Sequence, residues 1–155
     1  MVSFGIKNLL VVSILALGIT TATDNKPKLG IDILRAVEDC KQVAKVGDEV
    51  HMHYTGKIEK TGVVYTSSYK LNRPYTFKLG GGYVINGWDQ GVVGMCVGEK
   101  RLLTIPHELG FGKRGINHII PPEATLIFTV ELLGIGKDFV YQPTEEDSAN
   151  NKIEL

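Results

Sequence analysis

Apolar and polar positions alternate with a period of two along most of the chain beyond residue 28, which is the pattern of half-buried antiparallel strands. Residues 49–56 place Val50, Met52 and Tyr54 on one face and His51 and His53 on the other. Residues 29–34, 63–65, 75–79 and 101–105 repeat the pattern, and residues 125–133 carry its longest run, with Leu126, Phe128 and Val130 aligned. Only residues 85–93 read as a helix: Ile85, Trp88 and Val92 fall at i, i+3 and i+7, one stripe of a short helix. Gly87 and Gly91 inside it cost about 1 kcal/mol each relative to alanine, so packing must hold this helix, with Trp88 as the anchor. Gly80, Gly81 and Gly82 predict a turn just before it. Short strands around a single helix predict an α+β domain, a curved antiparallel sheet wrapped on that helix.

The two ends break the pattern. Lys7, an uncharged apolar run over residues 9–17 and the small residues Thr20, Thr21 and Ala22 read as a secretory signal peptide cleaved after Ala22. The run is well short of the roughly 20 residues that a membrane-retained anchor needs. This divides the chain into a leader over 1–22, a folded domain over 23–137 and a polar, acidic tail over 138–155, with Glu145, Glu146 and Asp147 read as solvated. The tail stops at Lys152, Ile153, Glu154 and Leu155, a resemblance to the K-D-E-L retrieval signal. Leader and terminus together predict the endoplasmic reticulum lumen, with a retrieval receptor as one partner and no membrane span in the mature chain.

Charge and cysteine content narrow the classes further. The 155 residues hold 17 basic and 17 acidic side chains, so no net field points to nucleic acid or to an anionic membrane. Cys40 and Cys96 are the two cysteines. In an oxidising lumen an even count allows one disulfide, and two buried free thiols are the alternative. Two thiolates are too few for a cysteine-built zinc site.

Several motifs lose their force in context. Residues 110–115 match G-x-G-x-x-G, but a proline-rich loop follows where dinucleotide binding needs a helix. His51 and His53 share a strand face without accompanying carboxylates, which reads as a solvated face and not as a metal site. Ser67 and Ser68 lack the surroundings of a nucleophile and read as turn residues. Residues 106–122 form a long segment without strand pattern, and Ile119-Ile120 beside Pro121-Pro122 predict an exposed hydrophobic lip. Aromatic residues remain, half of them tyrosines whose hydroxyls want water or a partner, and an apolar cup with polar tips is the character of a ligand pocket.

The order of four motifs is specific. Residues 53–56 (His-Tyr-Thr-Gly), 87–91 (Gly-Trp-Asp-Gln-Gly), 95–100 (Met-Cys-Val-Gly-Glu-Lys) and 119–126 (Ile-Ile-Pro-Pro-Glu-Ala-Thr-Leu) resemble the FKBP-type peptidyl-prolyl cis/trans isomerases, in particular their small endoplasmic-reticulum-lumenal branch. The resemblance implies a half-open sheet around one short helix and favours pairing Cys40 with Cys96. It also implies a pocket of Tyr54, Tyr65, Thr66, Tyr75, Val84, Ile85, Trp88, Phe111, Ile119, Ile120 and Phe128. Trp88 would be its floor under a substrate proline ring, and the Ile85 N–H a donor to a ligand carbonyl. Proline-containing polypeptides are the implied clients, a macrolide an implied ligand, and no cofactor or metal is implied. Two departures stand out: the family pattern has Asp where this chain has Thr66, and Tyr where it has Phe111. Two lost hydrogen bonds, each worth about 0.5–1.5 kcal/mol, predict a rate or macrolide affinity lower by about one to two orders of magnitude. The same departures leave a non-catalytic, client-binding module as the alternative expectation.

Overall fold

The computed structural model describes residues 28–153. The leader read over 1–22, and Glu154 and Leu155 of the terminal tetrapeptide, lie outside the described residues. Six strands form one sheet: β1 (Gly30–Arg35), β2 (Glu49–Ile58), β3 (Val64–Ser67), β4 (Tyr75–Lys78), β5 (Lys100–Ile105) and β6 (Leu126–Ile135). Their order is β1-β5-β6-β2-β3, all neighbours are antiparallel, and β4 pairs with the first half of β2 while β3 pairs with the second. The concave face carries the buried residues Val50, Met52, Leu103, Ile105, Leu126, Phe128 and Val130. Helix α1 (Asn86–Gly91) lies on this face.

The two helix glycines are explained by closeness. A Cβ on Gly87 would stand 2.5 Å from Ile105 Cγ2, and one on Gly91 would stand 2.8 Å from Leu103 Cδ1. Only bare backbone lets α1 settle onto β5, and that contact carries Trp88 down into the core, 4% exposed. The conformational cost of two glycines is thus offset by packing.

Three expectations fail on the other parts of the sheet. In β1, Ile31, Ile33 and Leu34 are all exposed, because β1 is the edge strand and its alternation finds nothing to bury against. His51 and His53 are not on a solvated face: they are 8% and 1% exposed. The polar segment after residue 137, together with Tyr69, covers them. Phe139 stacks on His51 at 4.5 Å, Tyr69 stacks on His53 at 4.4 Å, and the Tyr141 hydroxyl meets His53 Nε2 at 2.8 Å. A second helix, α2 (Glu145–Ile153), follows. Its start is a reciprocal cap: the Thr144 N–H donates to Asp147 Oδ2 at 2.7 Å, and the Asp147 N–H donates to Thr144 Oγ1 at 3.2 Å. Glu146 accepts from Lys100 Nζ at 2.6 Å and from Arg35 at 3.0 Å, and both cations also reach Glu131. The acidic run therefore docks by charge pairing, which composition alone conceals.

This outer layer predicts a pH dependence. Burial lowers the His53 pKa from its ordinary 6.5, and nearby Lys100 adds to this, while Asp147 and Glu131 oppose it. The unfolded chain therefore takes up a proton that the folded chain resists. Stability from this site is complete above the unfolded pKa and is lost as pH falls below it. The urea midpoint is expected to drop between about pH 7.5 and about pH 5.5, and His53→Gln is expected to shrink that drop. Glu146 and Asp147, both shifted down, keep their contributions across this window and lose them only in more acidic solution. An unchanged pH response in His53→Gln would show that another group governs it.

Candidate functional site

The eleven residues singled out from the sequence line a single cavity of about 620 Å³. Strand β2 contributes Tyr54, β3 contributes Tyr65 and Thr66, β4 contributes Tyr75 and β6 contributes Phe128. Val84 and Ile85 come from the loop entering α1, Trp88 from α1 itself, and Phe111, Ile119 and Ile120 from the long loop after β5.

Trp88 lies beneath an aromatic ring of neighbours that meet it edge-on. Tyr54 is 5.0 Å away at 84°, Phe128 is 5.3 Å away at 87°, and Tyr75 is 6.3 Å away at 81°. Such T-shaped contacts suit the ring quadrupoles and fix each ring in place. Phe77, read from the sequence as plain core, backs the indole at 5.7 Å and is buried.

The entrance to α1 is held by a residue that the sequence reading passed over. The Asp89 carboxylate accepts from the Gly80 N–H at 2.8 Å and from the Gly82 N–H at 3.0 Å. This ties the glycine turn to the helix and sets Val84 and Ile85 at the cavity. An acid on the first helical turn just after a glycine run is the signal that could have revealed it. Ile85 itself is extended, with φ −60° and ψ 148°, and its carbonyl accepts the Trp88 N–H at 2.9 Å.

The long loop is more ordered than its composition suggests. Ile116 and Ile120 exchange backbone hydrogen bonds at 2.9 and 2.8 Å, closing a tight turn. Gly115 sits at φ +63°, and a Cβ there would stand 2.2 Å from the Ile120 carbonyl oxygen, so the turn demands glycine. The expected pair of exposed isoleucines is split: Ile119 is 54% exposed and Ile120 is 3% exposed. Alternation across the Ile116–Ile120 bridge turns the second inward. Ile116, Gly82 and Tyr83 also line the cavity and were not among the residues singled out from the sequence. Their loop positions carry no periodicity that would have marked them.

The cavity wall contains no carboxylate, lysine, arginine or histidine. Its polar groups are hydroxyls and the indole N–H. The Tyr54 and Thr66 hydroxyls pair at 3.2 Å. Tyr65 Oη and Trp88 Nε1 are buried without a hydrogen-bond partner among the described residues. Phe111 brings ring surface and no donor. Such a site can desolvate, grip and donate hydrogen bonds, and it offers no carboxylate or imidazole for proton transfer. Among the described residues no group of three or more His, Cys, Asp or Glu could hold a metal ion, and no helix is long and apolar enough to cross a membrane.

Comparisons with known proteins converge. A family profile described as FKBP-type peptidyl-prolyl cis-trans isomerase matches residues 40–133. FK506-binding protein 2 of Yarrowia lipolytica is 50% identical over 133 residues, covering 83% of this chain and 92% of that protein. Peptidyl-prolyl cis-trans isomerase FKBP2 of Homo sapiens is 48% identical over 134 residues, covering 86% of this chain and 94% of that protein. The crystal structure of AtFKBP13 superposes with a TM-score of 0.63 at 37% identity, covering 70% of this chain and 93% of that one.

Proposed function

The chain belongs to the FKBP-type peptidyl-prolyl cis-trans isomerase family, and we propose that its aromatic cavity accelerates rotation about X–Pro bonds in client polypeptides. The observation that carries this reading is an uncharged, aromatic cup floored by Trp88. A planar amide is stabilised by charge separation between nitrogen and oxygen, which water supports. Uncatalysed rotation takes tens to hundreds of seconds. Moving the bond into an apolar cup withdraws that support from the planar ground state, while the twisted state, with less charge separation, needs it less. The pyrrolidine ring packs on Trp88, and the Ile85 N–H holds a client carbonyl. No step transfers a proton, so a wall without charged side chains or histidine suits the reaction.

The test is cis/trans conversion of a tetrapeptide with one Leu-Pro bond, using the mature chain. Turnover above background is expected; a background rate would leave a client-binding module as the function. Thr66→Asp with Phe111→Tyr is expected to raise kcat/KM by about tenfold, the worth of roughly 1.4 kcal/mol of added hydrogen bonding. No gain would mean that these positions do not face the substrate. A macrolide is expected to occupy the same cavity with weakened affinity, strengthened by the same double change.

The compartment proposed is the endoplasmic reticulum lumen, with a leader over 1–22, the isomerase domain over 23–137 and the tail over 138–155. The leader pattern, the residues Lys152, Ile153, Glu154 and Leu155 and the Cys40–Cys96 disulfide support it. In secreting cells, the full chain carrying Leu155→Ala is expected to escape to the medium while the parent is retained. Equal retention of both would count against the retrieval receptor as a partner.

A further inference from the structure

The connection from β3 to β4 carries charge that the balanced total hides. Residues 60–88 hold Lys60, Lys70, Arg73 and Lys78 and no acid. Asp89, the next carboxylate along the chain, is turned to the Gly80 and Gly82 N–H groups. On the outer face, Glu131 and Glu146 are paired with Arg35 and Lys100, and Asp147 caps α2. Arg73 is exposed, and no hydrogen bond or ion pair engages its guanidinium among the described residues.

The loop fixes the backbone that carries it. The Leu71 and Asn72 N–H groups donate to the Ser68 and Tyr69 carbonyls at 3.1 and 3.0 Å. Asn72 is left-handed at φ 51°, which asparagine tolerates better than most residues, and Pro74 stiffens the entry to β4. Leu71, Arg73, Pro74 and Thr76 then line a second cavity of about 330 Å³ that shares Tyr54 and Tyr75 with the first. These two rings meet edge-on at 6.1 Å, and Phe77 backs Tyr75 at 5.7 Å, so the shared wall is firmly placed.

A client whose X–Pro bond lies over Trp88 leaves the aromatic cup across its rim. An extended chain advances about 3.3 Å per residue, so about two or three residues carry it past the shared wall. There it meets apolar surface from Leu71 and Pro74 beside an unpaired cation, with no carboxylate in either wall. Such a place suits Asp or Glu: the charges attract, and a guanidinium matches a carboxylate with two parallel hydrogen bonds. A client lysine would be repelled.

We infer that the second cavity is a subsite for an acidic client side chain near the X–Pro bond, with Arg73 as its counter-ion. The inference rests on the isomerase reading above. It makes Arg73 a specificity-determining residue, and it gives a globally neutral protein a local preference for acidic clients.

The experiment measures cis/trans exchange by NMR in Leu-Pro peptides that carry Glu, Gln or Lys three residues before or after the proline. On one of the two sides, kcat/KM for the Glu peptide is expected to exceed that for the Gln peptide by about 2- to 5-fold at low salt. The ratio should shrink towards one in about 0.5 M salt, as screening requires. Arg73→Gln is expected to bring the ratio to about one, and Arg73→Glu to favour Lys over Glu. Equal rates for Glu and Gln on both sides in the parent would overturn the inference. So would a preference that survives Arg73→Glu, or a loss that falls equally on all peptides, which would mark Arg73 as structural. A parent that accelerates no peptide would sink the isomerase reading instead. Trp88 is the single tryptophan of the chain, so fluorescence titration with the Glu and Gln peptides would then still decide the subsite.

Discussion

Trp88→Ala is expected to lose about 3–5 kcal/mol of stability, the usual cost of truncating a large buried aromatic, and at least about 100-fold in kcat/KM. The two losses have one origin. Trp88 is 4% exposed, supported by Phe77 and met edge-on by Tyr54, Tyr75 and Phe128. Its removal opens a void under the cavity and frees the rings that form the walls. Against a total stability of about 5–15 kcal/mol this approaches unfolding, so kcat/KM must be corrected for the folded fraction measured by circular dichroism. Trp88→Phe keeps an aromatic floor and is expected to recover most of the stability but only part of the rate. A Trp88→Ala chain that is less stable yet turns over at the parent rate per folded molecule would place the chemistry elsewhere.

Removal of the Cys40–Cys96 disulfide, by Cys40→Ala with Cys96→Ala, is expected to cost about 4 kcal/mol, as the chain-entropy treatment gives for a loop of this size. The bond closes 56 residues and joins the segment before β2 to the turn between α1 and β5. Its effect on activity should be small. Neither cysteine lines the cavity, and the same junction is held independently by backbone hydrogen bonds from Ala44 to Met95 at 2.8 Å, Gly94 to Ala44 at 2.9 Å and Val97 to Gln42 at 3.1 Å. Urea unfolding should therefore show a lower midpoint in the double variant, while kcat/KM at low temperature stays near the parent value. Equal midpoints would mean that the unfolded chain gains little freedom when the bond is absent. A large loss of kcat/KM in folded protein would mean that the disulfide shapes the cavity.

Much of the inner face was legible because each of its signals is local. Period-two alternation marked β2 and β6, and the i, i+3, i+7 stripe marked α1 and its anchor Trp88. Motif order then brought the eleven cavity residues to attention although they come from four strands, two loops and one helix. The residues not assigned to the site, Gly82, Tyr83, Ile116 and Asp89, lie in or serve loops, where function depends on where the backbone turns and not on a repeating pattern. Ile120 was misjudged for the same reason: its burial follows from a backbone bridge to Ile116 that adjacent residues do not announce.

The chain's own order of residues determined the sheet with its central helix, through periodicity and hydrophobicity that act between neighbours. Its order of motifs, by family resemblance, implied the Cys40–Cys96 pair and the aromatic cavity, and the structure contains both. Tertiary structure alone decided what covers the outer face and which hydroxyls are satisfied. His51 and His53 alternate as solvent-facing residues should, and became buried because Phe139 and Tyr141 return from far along the chain to cover them. Tyr65 and Tyr54 look alike in sequence, yet one hydroxyl finds Thr66 and the other finds no partner among the described residues. Burial and hydrogen-bond satisfaction depend on which distant segments meet, and that is settled only when the whole chain packs.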